Sequence, residues 1–578
     1  MLSNPSSPLS QTLDLTLDEA RQIVAQFQPA LSLLDWSQKY RAIDGRQFSL
    51  DRYPCLVDVY KDEHEFIIVI KPNQAGGSEW LINTSLHALD VGAEYFGLEK
   101  EGLNVGYVFP TWDSLKDFSK DRIRKVAREN PYLADLLAPV QSGRLLRKAD
   151  LGLYFIRKGS WYLRGGHNPD VQLASFPVDL LIVDEYDLLT QRAVTLAEKR
   201  LRASPLRWKR YISKPSLPNV GIDKVYQESD QQQWQLRCPA CGDWQPPNFW
   251  ANVARIVGDG KTEYYSDWSK RSPEELKRSD YIFVCRHCAT PMDRTGPGRW
   301  QAQNPGALIR GYAIPGLIAP YVPLLELVRG SLHEEPDLIL EWYRADLGMA
   351  KSPEGGQLSW DDLEGCKADY TIPRPRGRRC TMGVDVGVKL HVRIGCHLQG
   401  QWSAVWIGEV DETEELDKLI QRYDVRAAVI DGEPETRMAR DFCKRWPGRA
   451  WMADYNTSSK PQKEVYIWTD PQDSTQAGKV RIARTEAMDR VANSHRERRE
   501  RLPANAHTVP HFYNQMCAPV RVETKRKKTD GTQKTVIVYM ESGPDHYFHA
   551  SVYEKAARER LPPPRTSTTA VTGSSDFA

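Results

Sequence analysis

The residues with the clearest chemical reading are Lys71-Pro72-Asn73-Gln74-Ala75-Gly76-Gly77-Ser78-Glu79 and, well downstream, Val183-Asp184-Glu185. At Gly76 and Gly77, backbone N–H groups can face phosphate oxygens with no Cβ in the way, and a helix starting there adds the positive end of its dipole. Ser78 then offers its hydroxyl to Mg²⁺. The usual loop, G-x-x-x-x-G-K-[ST], is not met: Gly77 stands where lysine is expected and Lys71 where the first glycine is. Lys71 is therefore the nearest cation for the β- and γ-phosphates. On its own the loop reads more readily as an ordinary strand-to-helix turn, and the second motif reverses that preference. Asp184 and Glu185 close the apolar run Val178-Asp179-Leu180-Leu181-Ile182-Val183. Two acids at the end of a buried strand fit one that holds Mg²⁺ and one that polarises the attacking water. Ser213, ending a short strand from Trp208, is placed to sense the γ-phosphate and pass on its loss.

Cys238-Pro239-Ala240-Cys241 and Cys285-Arg286-His287-Cys288 are two C-x₂-C knuckles, enough for a closed tetrahedral Zn²⁺ site with a structural role. Their separation implies an inserted loop, and Asp259 to Asp280 has the polar look of one. A pair of redox dithiols is the less favoured reading. The other cysteines are scattered, as reduced thiols usually are.

Three further acids fall at strand or helix ends. Asp385 lies in the strand Cys380 to Val386, and Asp431 ends the strand from Arg426 to Ile430. Asp545 opens a helical stretch through Tyr553 and Ala557. The order of three strands, a helix (Glu414 to Tyr423) and a returning strand predicts a mixed sheet with Asp385 and Asp431 side by side. Three carboxylates can hold two Mg²⁺ or Mn²⁺ ions for phosphodiester cleavage. As ordinary strand-end and capping acids they would need no metal. Glu433 is an additional candidate ligand. Between the second and third acids, Val520 to Thr524 and Thr535 to Tyr539 form a hairpin around Asp530-Gly531 carrying Lys525, Arg526, Lys527, Lys528 and Lys534, suited to a DNA backbone or to plain solvent.

These centres need elements to hold them. Phe66 to Ile70 is an apolar run of the buried-strand kind, and Trp80 to Leu89 has helical spacing. The chain of 578 residues, 40% hydrophobic, has room for two to four domains at about 150 residues each. The predicted fold class is α/β, with a RecA-like P-loop ATPase domain that carries a zinc-ribbon insertion, followed by an RNase H-like nuclease domain. The expected boundaries are an N-terminal arm at 1–45 with Leu17 to Phe27 helical, an ATPase core at 46–233, the zinc ribbon at 234–300, a lid or linker at 301–376 ending in the proline-rich Thr371 to Gly377, the nuclease at 377–560 and a disordered tail at 561–578. The net charge of only +2 excludes a global positive field, so nucleic-acid contact must come from local patches. The sequence shows neither a basic-then-apolar leader nor a run near the ~20 apolar residues of a bilayer crossing, which predicts a cytosolic protein.

An early-lysine phosphate loop, an Asp-Glu strand end and a nuclease-like acid series in one chain resemble the large subunit of a tailed-phage terminase. Lys71-Pro72-Asn73-Gln74, Leu163-Arg164-Gly165-Gly166-His167-Asn168-Pro169, Asp184-Glu185-Tyr186-Asp187 and the knuckles are similar to its GpA-like branch. The resemblance spans roughly Gln47 to Tyr553. It implies ATP and Mg²⁺ ligands at Lys71, Gln74, Gly76, Gly77, Ser78 and Asp184, the catalytic acid Glu185 and the coupling residue Ser213. It also implies an adenine-reading Gln47, an ATP-site arginine at Arg122, and nuclease acids at Asp385, Asp431 and Asp545. Implied partners are double-stranded viral DNA, a small terminase subunit, the portal of the procapsid and further copies of the chain, commonly a pentamer. The implied location is the host cytoplasm and, transiently, the portal. Two other readings remain: a helicase-nuclease of recombination or repair, and a zinc-ribbon DNA-binding adaptor with a degenerate ATPase.

Overall fold

Phe66–Ile70 leaves no face for water, and it forms an interior strand of a ten-stranded sheet. The computed structural model describes residues 30–100, 102–137, 153–156, 159–258, 261–373, 379–456, 464–473, 476–527 and 533–561. The expected helix at Leu17 to Phe27, the tail after Leu561, and Lys528 with the Asp530-Gly531 turn lie outside them. The chain divides into two compact units, one of residues 1–216 and 221–350, the other of 217–220 and 351–578. Among the described residues no helix is long and apolar enough to cross a membrane.

In the first unit the parallel strands follow the spatial order Gln232–Arg237, Arg310–Ala313, Phe66–Ile70, Trp208–Ser213, Leu180–Asp184, Asn104–Phe109, Gly159–Gly165. Leu153–Ile156, Trp244–Gln245 and Gly298–Ala302 add antiparallel edges. Parallel strands covered on both faces read as unbroken apolar runs, and each residue of Leu180–Asp184 is buried. The Phe66 and Leu180 strands both flank Trp208–Ser213, so their carboxyl ends open on one edge of the sheet.

Two expected segments are integrated differently. Arg310–Ala313 lies between the Phe66 and Gln232 strands, so the stretch expected as lid or linker supplies a core strand. Three strands of the expected zinc-ribbon segment extend the main sheet. Their tryptophans require it: Trp300 packs edge-on against Trp234 and Tyr312 at 5.3 and 4.9 Å, and its indole N–H donates to the Cys55 carbonyl at 2.8 Å. The expected polar loop is also ordered where described. Lys261–Tyr264 and Tyr281–Phe283 pair with Val253–Val257, and Trp268 and Leu276 are buried. Its polarity is partly internal, since buried Arg255 sits 2.8 Å from Glu263 and 2.5 Å from Glu275.

The second unit begins ahead of the proline-rich stretch, whose residues 374–377 lie outside the described set. Lys367–Ala368 pairs with Glu500–Pro503, and Leu358, Leu363 and Cys366 enter this unit's core. Its nine-stranded sheet has the order Lys367–Ala368, Glu500–Pro503, Gln401–Val410, Leu390–Leu398, Cys380–Val386, Val425–Asp431, Ala450–Tyr455, Gly478–Ile482, Tyr466–Thr469. Cys380–Val386 is antiparallel to Leu390–Leu398 and parallel to Val425–Asp431. Pro519–Lys527 and Gln533–Glu541 form the expected hairpin.

The helix His546–Ala557 lies directly on Cys380–Val386. Gly383 is the contact point: a Cβ there would fall 2.0 Å from the Ala550 carbonyl oxygen and 2.2 Å from Glu554 N. This close approach carries the start of the helix down to Asp385, two residues further along the same face.

Beneath the helix, buried Glu500 accepts from Lys555 Nζ and Arg558 Nη1, both at 2.9 Å, and pairs with Arg393. His495 is fully buried beside it; its Nδ1 lies 2.9 Å from the Val491 carbonyl oxygen and its Nε2 has no hydrogen-bond partner among the described residues. Burial lowers its pKa from 6.5 to about 4, despite the opposing charge of Glu500. Between those values the unfolded chain binds the extra proton, so stability is full above pH 6.5 and is lost as pH falls through 4. The loss is expected to reach about 3 kcal/mol. Urea titration of this unit's transition across that range should show His495→Gln with a shallower pH slope than the native chain.

Candidate nucleotide-binding and metal centres

The chain leaves the Phe66 strand at Lys71 and turns into the helix Gly77–Val91 through Gln74 and Gly76, whose φ angles of 57° and 77° are left-handed. Gly77 explains the departure from the usual loop. A Cβ there would lie 2.2 Å from Ile212 Cδ1 and 3.0 Å from Lys71 Cδ, so the slot a lysine normally fills is occupied from below. Lys71 uses that space: it is 7% exposed, and its Nζ donates to Glu185 Oε1 at 2.8 Å. Asp184 Oδ2 accepts from the Tyr107 hydroxyl at 2.8 Å, while its Oδ1 is buried with no hydrogen-bond partner among the described residues. Burial, then the neighbouring Glu185 charge, pushes Asp184 up to about 6 against the pull of Lys71. A buried carboxylate oxygen without a donor fits the demand for a cation such as Mg²⁺.

Ser213 is fully buried and ties the two motifs together. Its carbonyl accepts from Lys71 N at 3.1 Å, and its hydroxyl accepts from Asp187 N at 3.1 Å, just past Glu185. Glu79, next to Ser78, takes Arg41 at 2.6 Å and Arg122 at 3.1 Å. Arg122 thus reaches the loop from a π-helical turn, Phe118–Ile123, of the same chain. Gln47 stands apart from these contacts: it is exposed on a two-stranded hairpin, and its amide Nε2 donates to the carbonyls of Gln38 and Lys39. Tyr107 and Arg41 carry no motif in the sequence.

The cysteines converge as their spacing requires. Cys238 Sγ and Cys288 Sγ are 3.5 Å apart, and Cys241 Sγ and Cys285 Sγ are 3.8 Å apart. A tetrahedral zinc with ~2.3 Å bonds needs sulfur edges of about 3.8 Å. Gln245 Nε2 donates to Cys285 Sγ at 3.0 Å. Burial alone would raise Cys285, yet N–H groups of Cys288, Gln245 and His287 bring it to about 6, while crowding by the other thiols pushes Cys241 up to about 12 against its Asp243 contact. Four thiols this close cannot all ionise without a cation, and the donor set fits Zn²⁺. Elemental analysis is expected to find one zinc per chain, absent in Cys285→Ser, and Gln245→Ala should weaken zinc affinity about 10- to 100-fold.

In the second unit, paired strand residues Val384 and Ile430 immediately precede Asp385 and Asp431, whose side chains leave the same face of adjacent strands. Burial and the Asp385 charge push Asp431 up to about 6. Asp545 caps the helix His546–Ala557 but turns its carboxylate to His549 Nε2 at 3.2 Å. The tightest donor group therefore differs from the three acids expected: Asp385, His391 and His546 bring ligand atoms within 4.8 Å of one another. His546 Nδ1 lies 2.8 Å from Asp385 Oδ2, a contact that raises the pKa of His546. Glu433 donates its backbone N–H to Asp431 Oδ1 at 3.1 Å, and with Asp454, Tyr455 and Arg481 lines a cavity of about 590 Å³ beside Asp431. Nothing in the sequence marks the histidines or Asp454; only the register of the sheet and the helix crossing gather them.

Residues 46–300 match the family described as phage terminase large subunit gpA, ATPase domain. Among curated proteins none matches the chain. Similar solved structures include the large terminase of a thermophilic bacteriophage, at 12% identity over 88% of this chain and 98% of that one, TM-score 0.28. Another is the ATPase domain of the Thermus phage P74-26 large terminase, at 16% identity over 35% and 78%, TM-score 0.23. A third is the human cytomegalovirus terminase nuclease domain, at 8% identity over 27% and 86%, TM-score 0.18.

Proposed function

We propose, from the match of residues 46–300 to the ATPase domain of gpA-type phage terminase large subunits, that the chain is a packaging motor and nuclease. Its first unit hydrolyses ATP to drive double-stranded viral DNA into a procapsid, and its second cuts the concatemer. The observation that carries the reading is the meeting of two distant motifs, Lys71 Nζ at 2.8 Å from Glu185 Oε1, beside an Asp184 oxygen with no hydrogen-bond partner among the described residues.

In this reading the left-handed turn through Gln74 and Gly76 points backbone N–H groups at the phosphates and Lys71 neutralises them. Ser78 and Asp184 would hold Mg²⁺, and Glu185 orients and polarises the attacking water. Bound Mg²⁺ would spread the charge that develops on the phosphate oxygens. Nucleotide entry draws Lys71 from Glu185 toward the phosphates and frees the acid for water. Ser213 couples the event, because its strand touches both the loop and the turn after Glu185. Arg122 acts in its own chain's site, held ready by Glu79, and Gln47 meets the adenine only if it gives up its carbonyl contacts. The strand between the loop and acid strands supports a RecA-like assignment. The neighbours of Cys380–Val386 in the second sheet support an RNase H-like one, with Asp385, Asp431 and Asp545 as the residues that would hold divalent metals; bound there, such ions would supply water activation and stabilise the charge of the leaving oxygen.

The partners that follow are a small terminase subunit, the procapsid portal and further copies of this chain as a ring, commonly a pentamer, working in the host cytoplasm. The test combines full-length protein, small subunit, portal-bearing procapsids, concatemeric DNA and ATP. DNA protected from added nuclease and procapsid-stimulated ATP turnover are expected. Unwinding of a duplex in place of packaging would overturn the reading in favour of a helicase-nuclease.

A further inference from the structure

We propose that the two-stranded ribbon of Gln232–Arg237 and Gly298–Ala302, extended by Trp244, is a contact surface for the backbone of duplex DNA, with Arg237 and Arg299 as its phosphate-binding residues. This rests on the packaging reading, in which the chain handles double-stranded DNA, and deepens it by giving the first unit a DNA contact of its own.

The strands sort their residues onto two faces. Trp234 and Leu236 turn inward and are buried, and Trp300, directly opposite Trp234, packs against it. The alternate positions therefore turn outward: Gln233, Gln235 and Arg237 from one strand, with Arg299 opposite Gln235 and Gln301 opposite Gln233 from the other. Trp244 stands opposite Arg237 on the other side of that strand, so its ring joins the same face. Arg237, Arg299 and Gln301 are exposed. Among the described residues neither arginine is paired with a carboxylate. Arg237 Nε donates to the Gly242 carbonyl at 3.4 Å, and the Arg299 guanidinium lies 4.1 Å from the centre of the Trp244 ring.

Two cations, three amides and an aromatic ring thus share one face without an acid. In a chain with 78 basic and 76 acidic residues that is a local positive patch, the form polyanion contact must take where the net charge is only +2. Stacking on Trp244 uses the flat side of the Arg299 guanidinium and leaves N–H edges for phosphate oxygens. Arg299 and Arg237 are diagonal neighbours, with Cα atoms about 7–8 Å apart, so both can engage one stretch of backbone. Gln233 and Gln301 add amide donors beside them. A two-stranded ribbon is also narrow enough for the major groove. Phosphate contacts carry no sequence information, as transport of a whole genome demands. Cys238 follows Arg237 directly, so the first knuckle fixes that end of the ribbon.

The test uses the full chain and a short duplex of arbitrary sequence, without added Mg²⁺ or Mn²⁺ so that no cleavage intervenes. The double variant Arg237→Ala, Arg299→Ala is expected to bind the duplex at least tenfold more weakly, and the slope of log affinity against log salt should fall by about 2. Zinc content and basal ATP turnover should match the native chain, which separates the effect from misfolding. Irradiating the native protein with a duplex carrying 5-iodouracil should crosslink the peptide that contains Trp244. Native affinity and slope in the double variant, with crosslinks confined to peptides of the second unit, would overturn this inference and leave the packaging reading standing. Unchanged DNA affinity with packaging lost would overturn it in favour of a protein partner at this face. Absence of duplex binding by the native chain would overturn the inference and the packaging reading together. The native crosslink decides even where the double variant folds poorly.

Discussion

Glu185→Gln is expected to lower the turnover of ATP by about 100- to 10,000-fold while leaving nucleotide binding intact. Glutamine keeps the shape of the side chain and removes its charge and basicity, so the attacking water loses its acceptor. Binding survives because Lys71, the left-handed turn and Asp184 are untouched. Lys71 also loses the carboxylate that holds it at 2.8 Å, so the phosphates meet less competition and ATP affinity should stay level or rise. Tyr107→Phe provides the graded control: it removes the 2.8 Å hydrogen bond to Asp184 without touching the base, and should cost far less. Steady-state turnover together with equilibrium binding of a labelled nucleotide separates these effects. Equal turnover in Glu185→Gln and the native chain would remove Glu185 from the role of base.

Strand ends were legible in the sequence wherever an apolar run stopped at a charged residue. Asp184, Glu185, Asp385 and Asp431 all stand at or next to such ends, because a buried parallel strand must be apolar until it emerges. The knuckles were legible for a similar reason, since thiolates at that spacing have few other uses. Partners from elsewhere in the chain were not legible. Tyr107 touches Asp184 only because the Asn104 strand runs beside Leu180–Asp184. Gly77 looked like a missing lysine until Ile212 and Lys71 were seen to fill the slot. Glu263 and Glu275 fall in the polar stretch, yet both pair with buried Arg255, Glu263 across a small sheet and Glu275 from a short helix, so an ordered segment resembled a loop. His391 and His546 lie far apart in the chain, and neither has local spacing that marks a ligand.

Asp385→Ala should abolish metal-dependent cleavage of plasmid DNA, by about 1,000-fold or more, and spare ATP hydrolysis. Several kcal/mol of charge stabilisation by a bound cation depend on this carboxylate, and each 1.36 kcal/mol is a factor of ten in rate. Its geometry makes it the member hardest to replace. It shares a sheet face with Asp431, raises that residue's pKa, and touches His546 at 2.8 Å. Asp431→Asn and Asp545→Asn should be graded below it, since Asp545 turns toward His549 and would have to swing to reach an ion shared with Asp385. ATP turnover is the internal control, because the Lys71–Glu185 site belongs to the other compact unit. If both activities fell together in Asp385→Ala, general misfolding would be the cause. Cleavage retained at the native rate would show that this carboxylate holds no essential metal, and the nuclease centre would have to be sought elsewhere in the chain.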